Sequence, residues 1–202
     1  MDVAVKICGI TRREDAELAV ELGAEFVGLN FWPHSPRCVT AEAALEIAER
    51  VRHRAGLVGV FVDEEPERVA TMAEAVGLDL VQLHGNEKPS DAERLGPRVL
   101  KAFRGLPSAG EPKSFGSAWG FLVDVAGTGP PGGTGRSWAW STGDLRESGK
   151  PVFVAGGIRP ENAAEAAACG AFGIDVCSGV ESAPGRKDAE RMRALFRAVG
   201  RA

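Results

Sequence analysis

Short apolar stretches alternate with helix-like stretches along the whole chain, and this alternation limits the possible folds more than any other feature of the sequence. Eight stretches rich in β-forming residues occur, at residues 3–8, 26–31, 57–62, 78–83, 98–103, 120–125, 151–156 and 171–176. Nearly continuous apolar strands are buried on both faces, and strict alternation of strands with helices favours parallel strands joined by right-handed crossovers. The sequence therefore predicts a parallel α/β fold.

The number of repeats distinguishes the two main parallel architectures. Eight βα units of about 25 residues fit the lower end of the (β/α)8 barrel range, whereas an open doubly wound sheet usually has fewer strands. No change in composition marks a boundary within the 202 residues. We therefore predict a single (β/α)8 TIM-barrel domain over residues 1–202.

Some connecting segments carry residues that begin helices. Thr11 with Glu14, and Ser90 with Glu93, have the spacing of a capping box, which predicts helix starts at Thr11 and Ser90. The segment 106–118 is rich in Pro, Gly and Ser, and it predicts only a short helix.

Charge and hydropathy exclude several classes of partner. The net charge is −4, and no run of Lys and Arg is present, so we expect no nucleic acid and no anionic membrane surface as partner. No stretch reaches the roughly 18 apolar residues of a spanning helix, and the N-terminus lacks the pattern of a signal peptide. The sequence predicts a cytoplasmic protein.

The cysteines and histidines show no metal-binding spacing. The four cysteines, Cys8, Cys38, Cys169 and Cys177, form no C-x-x-C pair, and the three histidines form no H-E-x-x-H motif. We expect no metal and no disulfide framework. Cys8 is then either a packing residue or a catalyst.

A glycine-rich motif at 127–132, "GTGPPG", matches G-x-G-x-x-G and follows a predicted strand. A dinucleotide-binding turn opens directly into a helix, which Pro130 and Pro131 prevent here. We therefore expect no dinucleotide cofactor. The motif lies in a loop at 126–139, of the length that often serves as a lid or a binding loop.

Polar residues stand at the ends of several predicted strands. Working groups of a parallel barrel lie at the C-terminal ends of its strands. Cys8, His84, Asp124 and Asp175 occupy such ends. Taken singly, Cys8, Asp124 and His84 each have a structural explanation as well as a functional one.

Small residues follow the last two predicted strands and predict a phosphate site. Gly156 and Gly157 in "FVAGGIRPEN" and Ser178 and Gly179 in "GIDVCSGVES" would let backbone amides approach an anion. Barrels commonly bind phosphate at this place.

Barrel closure would place strand 1 beside strand 8, with Cys8 on one side of the phosphate loops and Asp124 on the other. A phosphosugar could be held between the two residues. A thiolate accepts protons when positive partners lower the pKa of the thiol, and a carboxyl in apolar surroundings keeps its proton. Such a pair divides base and acid roles.

Several motifs resemble those of the phosphoribosylanthranilate isomerase family of tryptophan biosynthesis. The similarity covers nearly the whole chain through "KICGIT" (6–11), "FWPHSPR" (31–37), "VQLHG" (81–85), "LVD" (122–124), "AGGIRPEN" (155–162) and "GIDVCSGVE" (173–181). The resemblance implies an eight-stranded barrel that carries out an Amadori rearrangement of N-(5-phosphoribosyl)anthranilate without a cofactor.

The resemblance also implies residue roles. Asp124 would be the general acid that opens the sugar ring, and Cys8 the general base that removes the proton from C2. Arg37 would pair with the anthranilate carboxylate, while His84 and Asp175 would line the sugar site. The phosphate donors would be Gly156, Gly157, Ser178 and Gly179. The expected partner is a phosphosugar, and the expected assembly is a monomer or a homodimer.

Two positions depart from the family pattern, and two alternatives remain open. Val125 replaces the usual hydroxyl residue after the acid, and Cys177 replaces a usual Ser. Indole-3-glycerol-phosphate synthase, another phosphate-binding barrel, would use strand-end lysines, whereas Lys6 lies one inward position deeper than Cys8. A non-catalytic phosphosugar-binding module would need only the last two strand ends.

Overall fold

The structure is a computed structural model, and it describes residues 3–108, 110–125 and 143–201. The strands are β1 (Ala4–Ile7), β2 (Phe26–Asn30), β3 (Gly56–Phe61), β4 (Leu80–Leu83), β5 (Val99–Arg104), β6 (Gly120–Asp124), β7 (Val152–Ala155), β8 (Gly173–Val176), β9 (Glu181–Ala183) and β10 (Arg186–Lys187). The α-helices are α1 (Arg13–Glu21), α2 (Ala41–Val51), α3 (Pro66–Val76), α4 (Pro89–Leu95), α5 (Glu111–Ser114), α6 (Ala163–Ala168) and α7 (Ala189–Ala198).

Strands β1 to β8 form a closed parallel barrel in sequence order, with β8 paired to β1. The predicted (β/α)8 fold and its eight strands are confirmed. Strands β9 and β10 form a small antiparallel hairpin that follows the barrel. The glycine-rich motif at 127–132 and the predicted loop around it lie outside the described residues.

The strand residues alternate between two apolar layers. Val5 and Ile7 of β1 belong to the layer between barrel and helices, while Ala4 faces the barrel interior with Leu122 and Phe153. Phe153 lies in an aromatic cluster with Trp119 and other rings at the N-terminal end of the barrel. That end of the interior is filled by apolar side chains, so the polar inward residues collect toward the other end.

The two capping boxes predicted at Thr11 and Ser90 do not form. Helix α1 begins after Arg12, which makes no side-chain cap, and the Thr11 hydroxyl donates instead to the Gly185 carbonyl. Helix α4 begins at Pro89, and the Asp91 carboxylate accepts from the Lys88 amide. The short helix expected within 106–118 is confirmed as the four-residue α5.

No helix in the described part of the chain has the length and apolar character needed to cross a bilayer. The same part of the chain holds no group of three or more His, Cys, Asp or Glu side chains placed to bind a metal ion.

Candidate active site

A cavity of about 230 Å³ opens at the C-terminal end of the barrel strands. Its walls include eight of the nine site residues predicted from the sequence, namely Cys8, Arg37, His84, Asp124, Gly156, Gly157, Asp175 and Ser178. Gly179 stands behind the wall, where a Cβ would lie 1.9 Å from the carbonyl oxygen of Ile158. Gly179 therefore allows the loop after β8 to pack directly against the loop after β7.

Cys8 follows strand β1 and is 9% exposed. Its backbone amide donates to the Val176 carbonyl at 2.8 Å, which continues the pairing of β1 with β8. The neighbouring Cys177 side chain and the positive charges of Lys6 and Lys187 hold the pKa of the Cys8 thiol well below its ordinary value, against the opposing effect of burial. The surroundings therefore favour a thiolate at Cys8.

Lys6 occupies the inward position one step below Cys8 and is fully buried. Its Nζ lies 2.9 Å from Oδ1 of Asp175 on the neighbouring strand. Burial raises the pKa of Asp175 to about 6, and the Lys6 charge opposes this rise. The pair places a buried cation, Lys6, next to an anion, Asp175, that lines the cavity.

The β9–β10 hairpin brings a second buried lysine to Cys8. The Lys187 Nζ donates to the Cys8 carbonyl at 2.6 Å, to the Cys177 carbonyl at 3.0 Å and to Glu181 at 3.0 Å. The Lys187 amide donates to the buried carboxylate of Asp15 in α1. The hairpin is thereby fixed against the closing strands.

Arg37 lines the cavity from the segment between β2 and α2. Its Nε and Nη2 donate to the two oxygens of Glu181 at 2.9 and 2.6 Å. This bidentate pairing with Glu181, called the fork below, raises the pKa of Arg37 above its ordinary value. Among the described residues, Nη1 of Arg37 makes no hydrogen bond, so one edge of the guanidinium remains available to a ligand.

His84 connects the floor of the cavity to Asp124. The Gln82 amide nitrogen lies 2.8 Å from Nδ1 of His84, and Nε2 of His84 lies 3.6 Å from Oδ2 of Asp124. With the Gln82 amide nitrogen as donor to Nδ1, the proton of a neutral His84 ring lies on Nε2, toward Asp124. His84 thus presents a donor to the carboxyl.

The two loops predicted to bind phosphate, called the phosphate loops below, follow β7 and β8. Gly156 and Gly157 have φ angles of +94° and +65°, a region that other residues rarely adopt. Ser178 begins a 3₁₀ turn, Ser178–Val180, one residue after the end of β8. The loops meet at Gly179 and border the cavity between Cys8 and Asp124.

Comparison with known proteins decides the family. A family model described as N-(5'phosphoribosyl)anthranilate (PRA) isomerase matches residues 5–198. The chain belongs to the PRA isomerase family.

Individual members of the PRA isomerase family match over nearly their full length. The N-(5'-phosphoribosyl)anthranilate isomerase of Myxococcus xanthus (strain DK1622) is 45% identical over 98% of this chain and 97% of its own. The crystal structure of the Thermus thermophilus enzyme matches with a TM-score of 0.85 and 42% identity over 98% of both chains. A PRA isomerase structure in complex with reduced 1-(o-carboxyphenylamino)-1-deoxyribulose 5-phosphate matches with a TM-score of 0.80 and 35% identity, again over 98% of both chains.

Three buried polar residues around the site of this PRA isomerase family member, Gln82, Glu181 and Lys187, could not all be predicted from the sequence. Gln82 shares the inward face of β4 with Leu80, and a polar residue on an otherwise apolar strand face was a usable signal. Glu181 and Lys187 gave no comparable signal, because isolated charges after the last strand are typical of a solvated segment. Their burial follows from the placement of the hairpin.

Proposed function

We propose that the chain isomerises N-(5-phosphoribosyl)anthranilate to 1-(2-carboxyphenylamino)-1-deoxyribulose 5-phosphate in tryptophan biosynthesis, by general acid–base catalysis without a cofactor. One observation carries the mechanism. A thiol with a lowered pKa, Cys8, and a carboxyl group, Asp124, line the same cavity on either side of the two phosphate loops. Such a cavity can hold a phosphorylated sugar between a base and an acid.

Asp124 begins the reaction as the general acid. It donates its proton to the furanose ring oxygen while the bond between that oxygen and C1 breaks, and a Schiff base forms between C1 and the anthranilate nitrogen. His84, 3.6 Å from Asp124, supports the orientation of the carboxyl. Because Val125 follows Asp124, no side-chain hydroxyl can assist from that position.

Cys8 continues the reaction as the general base. Its thiolate takes the proton from C2, and the electron pair of that C–H bond forms a double bond between C1 and C2. The π electrons of the C=N bond move to the nitrogen and neutralise the protonated Schiff base. The resulting enolamine tautomerises to the ketone. A thiolate near Lys6 and Lys187 fits this role, because nearby positive charge lowers the pKa of a thiol.

The remaining predicted residues bind the substrate. The free edge of Arg37 would meet the anthranilate carboxylate, a contact that suits the planar guanidinium. His84 and Asp175 would border the sugar. The phosphate would accept hydrogen bonds from the backbone or side-chain donors of Gly156, Gly157, Ser178 and Gly179.

The partner that we predict for this chain is a small phosphosugar. One matching structure concerns the dimeric isomerase of Thermotoga maritima. For this chain, a monomer or a homodimer in the cytoplasm remains the prediction from its sequence.

The direct test is turnover of N-(5-phosphoribosyl)anthranilate by the purified chain. The fluorescence of the substrate is followed over time, and chromatography separates the product from the substrate of equal mass. The Asp124→Asn variant, prepared in parallel, is the control for contaminating activity. Conversion no faster with the unaltered chain than with this control would overturn the proposal.

A further inference from the structure

A second buried ion pair lies behind the loop that carries His84. The Nζ of Lys101 on β5 lies 2.7 Å from Oε2 of Glu87, and the two side chains are 5% and 3% exposed. Both residues stand outside the cavity lining, and the proposed reaction uses neither of them. An apolar pair of the same size would often be at least as stable. The Lys101–Glu87 pair is therefore better explained by the segment that it holds.

Lys101 binds the backbone on both sides of His84. Its Nζ donates to the Gly85 carbonyl at 2.8 Å and reaches the Leu83 carbonyl at 3.5 Å. Strand β4 ends at Leu83, so His84 and Gly85 lie where the strand no longer orders the chain. One ammonium group thus holds the carbonyls of the residues before and after His84.

Glu87 binds amide groups of the same loop and of the neighbouring one. Its Oε1 accepts from the Gly85 amide at 2.8 Å and from the Asp63 amide at 3.1 Å. Asp63 follows β3, and its Oδ1 accepts from the Asn86 amide at 2.5 Å. A Cβ on Gly85 would lie 2.3 Å from that Oδ1. The loops after β3 and β4 are thereby held together at close range.

An aromatic ring covers the ion pair. The Nζ of Lys101 lies 5.6 Å from the centroid of the Phe115 ring. Phe115 is buried, and its ring packs edge-on against Phe103. Hydrogen bonds and ion pairs are stronger where water is excluded. The segment around His84 is therefore fixed from the outside of the barrel by strong polar contacts.

The ring of His84 extends from this fixed backbone into the cavity. Its backbone amide donates to the Phe61 carbonyl at 2.9 Å. The ring lies 2.8 Å from the Gln82 amide nitrogen and 3.6 Å from the Asp124 carboxyl. Contacts of this length are lost when the backbone moves by about 1 Å. The placement of the ring beside Asp124 depends on the placement of the loop.

We propose that Lys101 and Glu87 are positioning residues that fix His84 and, through His84, orient the general acid Asp124. This inference rests on the proposed roles of Asp124 and His84 in the isomerisation. It assigns a part in the reaction to two residues that touch neither the substrate nor the reacting atoms. Their effect on the rate must pass through His84, whereas a purely structural effect would not.

The experiment removes the pair in chains with and without the His84 ring. Lys101→Met/Glu87→Gln removes both charges at nearly constant side-chain size, so no buried charge is left without its partner. The same two substitutions are made in His84→Ala. If the double substitution prevents folding, Lys101→Gln takes its place, because it keeps Glu87 and one hydrogen-bond donor. Its effects should be smaller and in the same direction.

The chain offers a matched control at the opposite end of the barrel. Arg201 pairs with Glu25 at 2.6 Å and donates to the carbonyls of Gly23 and Val3. Glu25 accepts from the Val5 amide at 2.8 Å. Arg201→Met/Glu25→Gln therefore removes the same kinds of contact, away from the cavity.

The first readout is a double-mutant cycle in kcat. A displacement of about 1 Å can cost about 100-fold in rate, so loss of the pair with only partial displacement of His84 should lower kcat about tenfold. In His84→Ala the same substitutions should change kcat by less than about twofold, because the ring they position is gone. The thermal midpoint should fall equally in both backgrounds. The control should lower the midpoint and leave kcat unchanged.

Either of two kinetic results would overturn the proposal. The first is an unchanged kcat on loss of the pair in the chain that keeps His84. The second is a loss of kcat by the same factor with and without His84, which would show that the pair acts on the whole fold rather than on the ring.

The second readout requires no turnover. NMR spectroscopy follows the Cε1–H signals of the three histidines, and the signal missing from His84→Ala identifies His84. Loss of the pair should shift or broaden the His84 signal and leave that of His34 in place, while the control leaves the His84 signal unchanged. A His84 signal that stays in place without the pair would overturn the proposal. If the unaltered chain shows no turnover, the proposed function fails, and this signal alone decides whether the pair positions His84.

Discussion

Lys6 and Asp175 form a salt bridge inside the barrel, with 2.9 Å between Nζ and Oδ1 and side-chain exposures of 0% and 8%. The two residues face each other across β1 and β8, one step below Cys8 and Cys177. Removing two charges from water costs several kcal/mol for each ion, and only a close partner offsets this cost. The Lys6–Asp175 pair therefore contributes a fixed electrostatic field near the Cys8 thiolate rather than a large gain in the free energy of unfolding.

Replacing Lys6 alone should destabilise the protein strongly. Lys6→Met leaves the buried Asp175 carboxylate without its cation, and breaking a buried pair costs about 3–5 kcal/mol. Urea denaturation followed by circular dichroism measures the change in the free energy of unfolding. The double variant Lys6→Met/Asp175→Leu, which removes both charges, should recover most of the loss. A single variant as stable as the unaltered chain would contradict the structural pairing.

The raised pKa of Asp175 makes a specific contribution to the pH dependence of stability. The folded chain binds this proton more tightly than the unfolded chain, with a pKa of about 6 against the ordinary 3.8. The contribution of Asp175 to stability is therefore fully present below pH 4 and is lost as the pH rises to about 6. The difference in unfolding free energy between the unaltered chain and Asp175→Asn should decrease over this interval and be constant above it, which denaturation at several pH values can check.

The sequence predicts the fold well because each strand carries its own evidence. The alternation of apolar strands with helices depends on local composition, so all eight barrel strands could be found without any knowledge of contacts. The positions at the C-terminal ends of the predicted strands then identified residues around the cavity, because the topology of a parallel barrel brings Cys8 and Asp124 to the same end of the barrel. The glycines after β7 and β8 were found for the same reason.

Interactions between distant segments could not be predicted in this way. The fork between Arg37 and Glu181 joins residues 144 positions apart, and Lys187 reaches Cys8 only because the hairpin folds back over β1. The capping box predicted at Thr11 is absent for a related reason. The Thr11 hydroxyl donates to the distant Gly185 carbonyl instead of capping helix α1. Local patterns carry no information about such competition.

Cys8 and Asp124 are expected to account for the chemical step. General acid–base groups contribute about 10²–10⁴-fold to rate, so Cys8→Ser and Asp124→Asn should each lower kcat by at least that factor. The hydroxyl of Ser is too weakly acidic to be ionised near neutral pH. Steady-state kinetics and the thermal midpoint are measured on the same samples. For Cys8→Ser, near-normal turnover together with a thermal midpoint lowered by a loss of about 1 kcal/mol in the free energy of unfolding would assign Cys8 to packing instead.

Arg37→Ala should weaken substrate binding more than it slows the chemistry, because the carboxylate it meets is remote from the bonds that change. The loss of such a charge pair costs about 2–5 kcal/mol, which would appear mainly in KM. Arg37→Lys keeps the charge but not the fork, and it should fall between the Ala variant and the unaltered chain. Glu181→Gln serves as the matched control, because it disturbs the orientation of Arg37 and keeps its charge. An unchanged KM with a collapsed kcat would show that Arg37 has another role.

Inorganic phosphate should compete with the substrate, and Gly179→Ala should weaken this inhibition. A Cβ at Gly179 would lie 1.9 Å from the Ile158 carbonyl oxygen, so the two phosphate loops must separate to admit it. The matched control is Gly120→Ala, whose Cβ would lie 2.7 Å from the Pro151 carbonyl oxygen at the start of β6, far from the cavity. Both variants lose stability, but only Gly179→Ala should raise the inhibition constant for phosphate. Equal inhibition constants in the two variants, or noncompetitive inhibition of the unaltered chain, would place the phosphate site elsewhere.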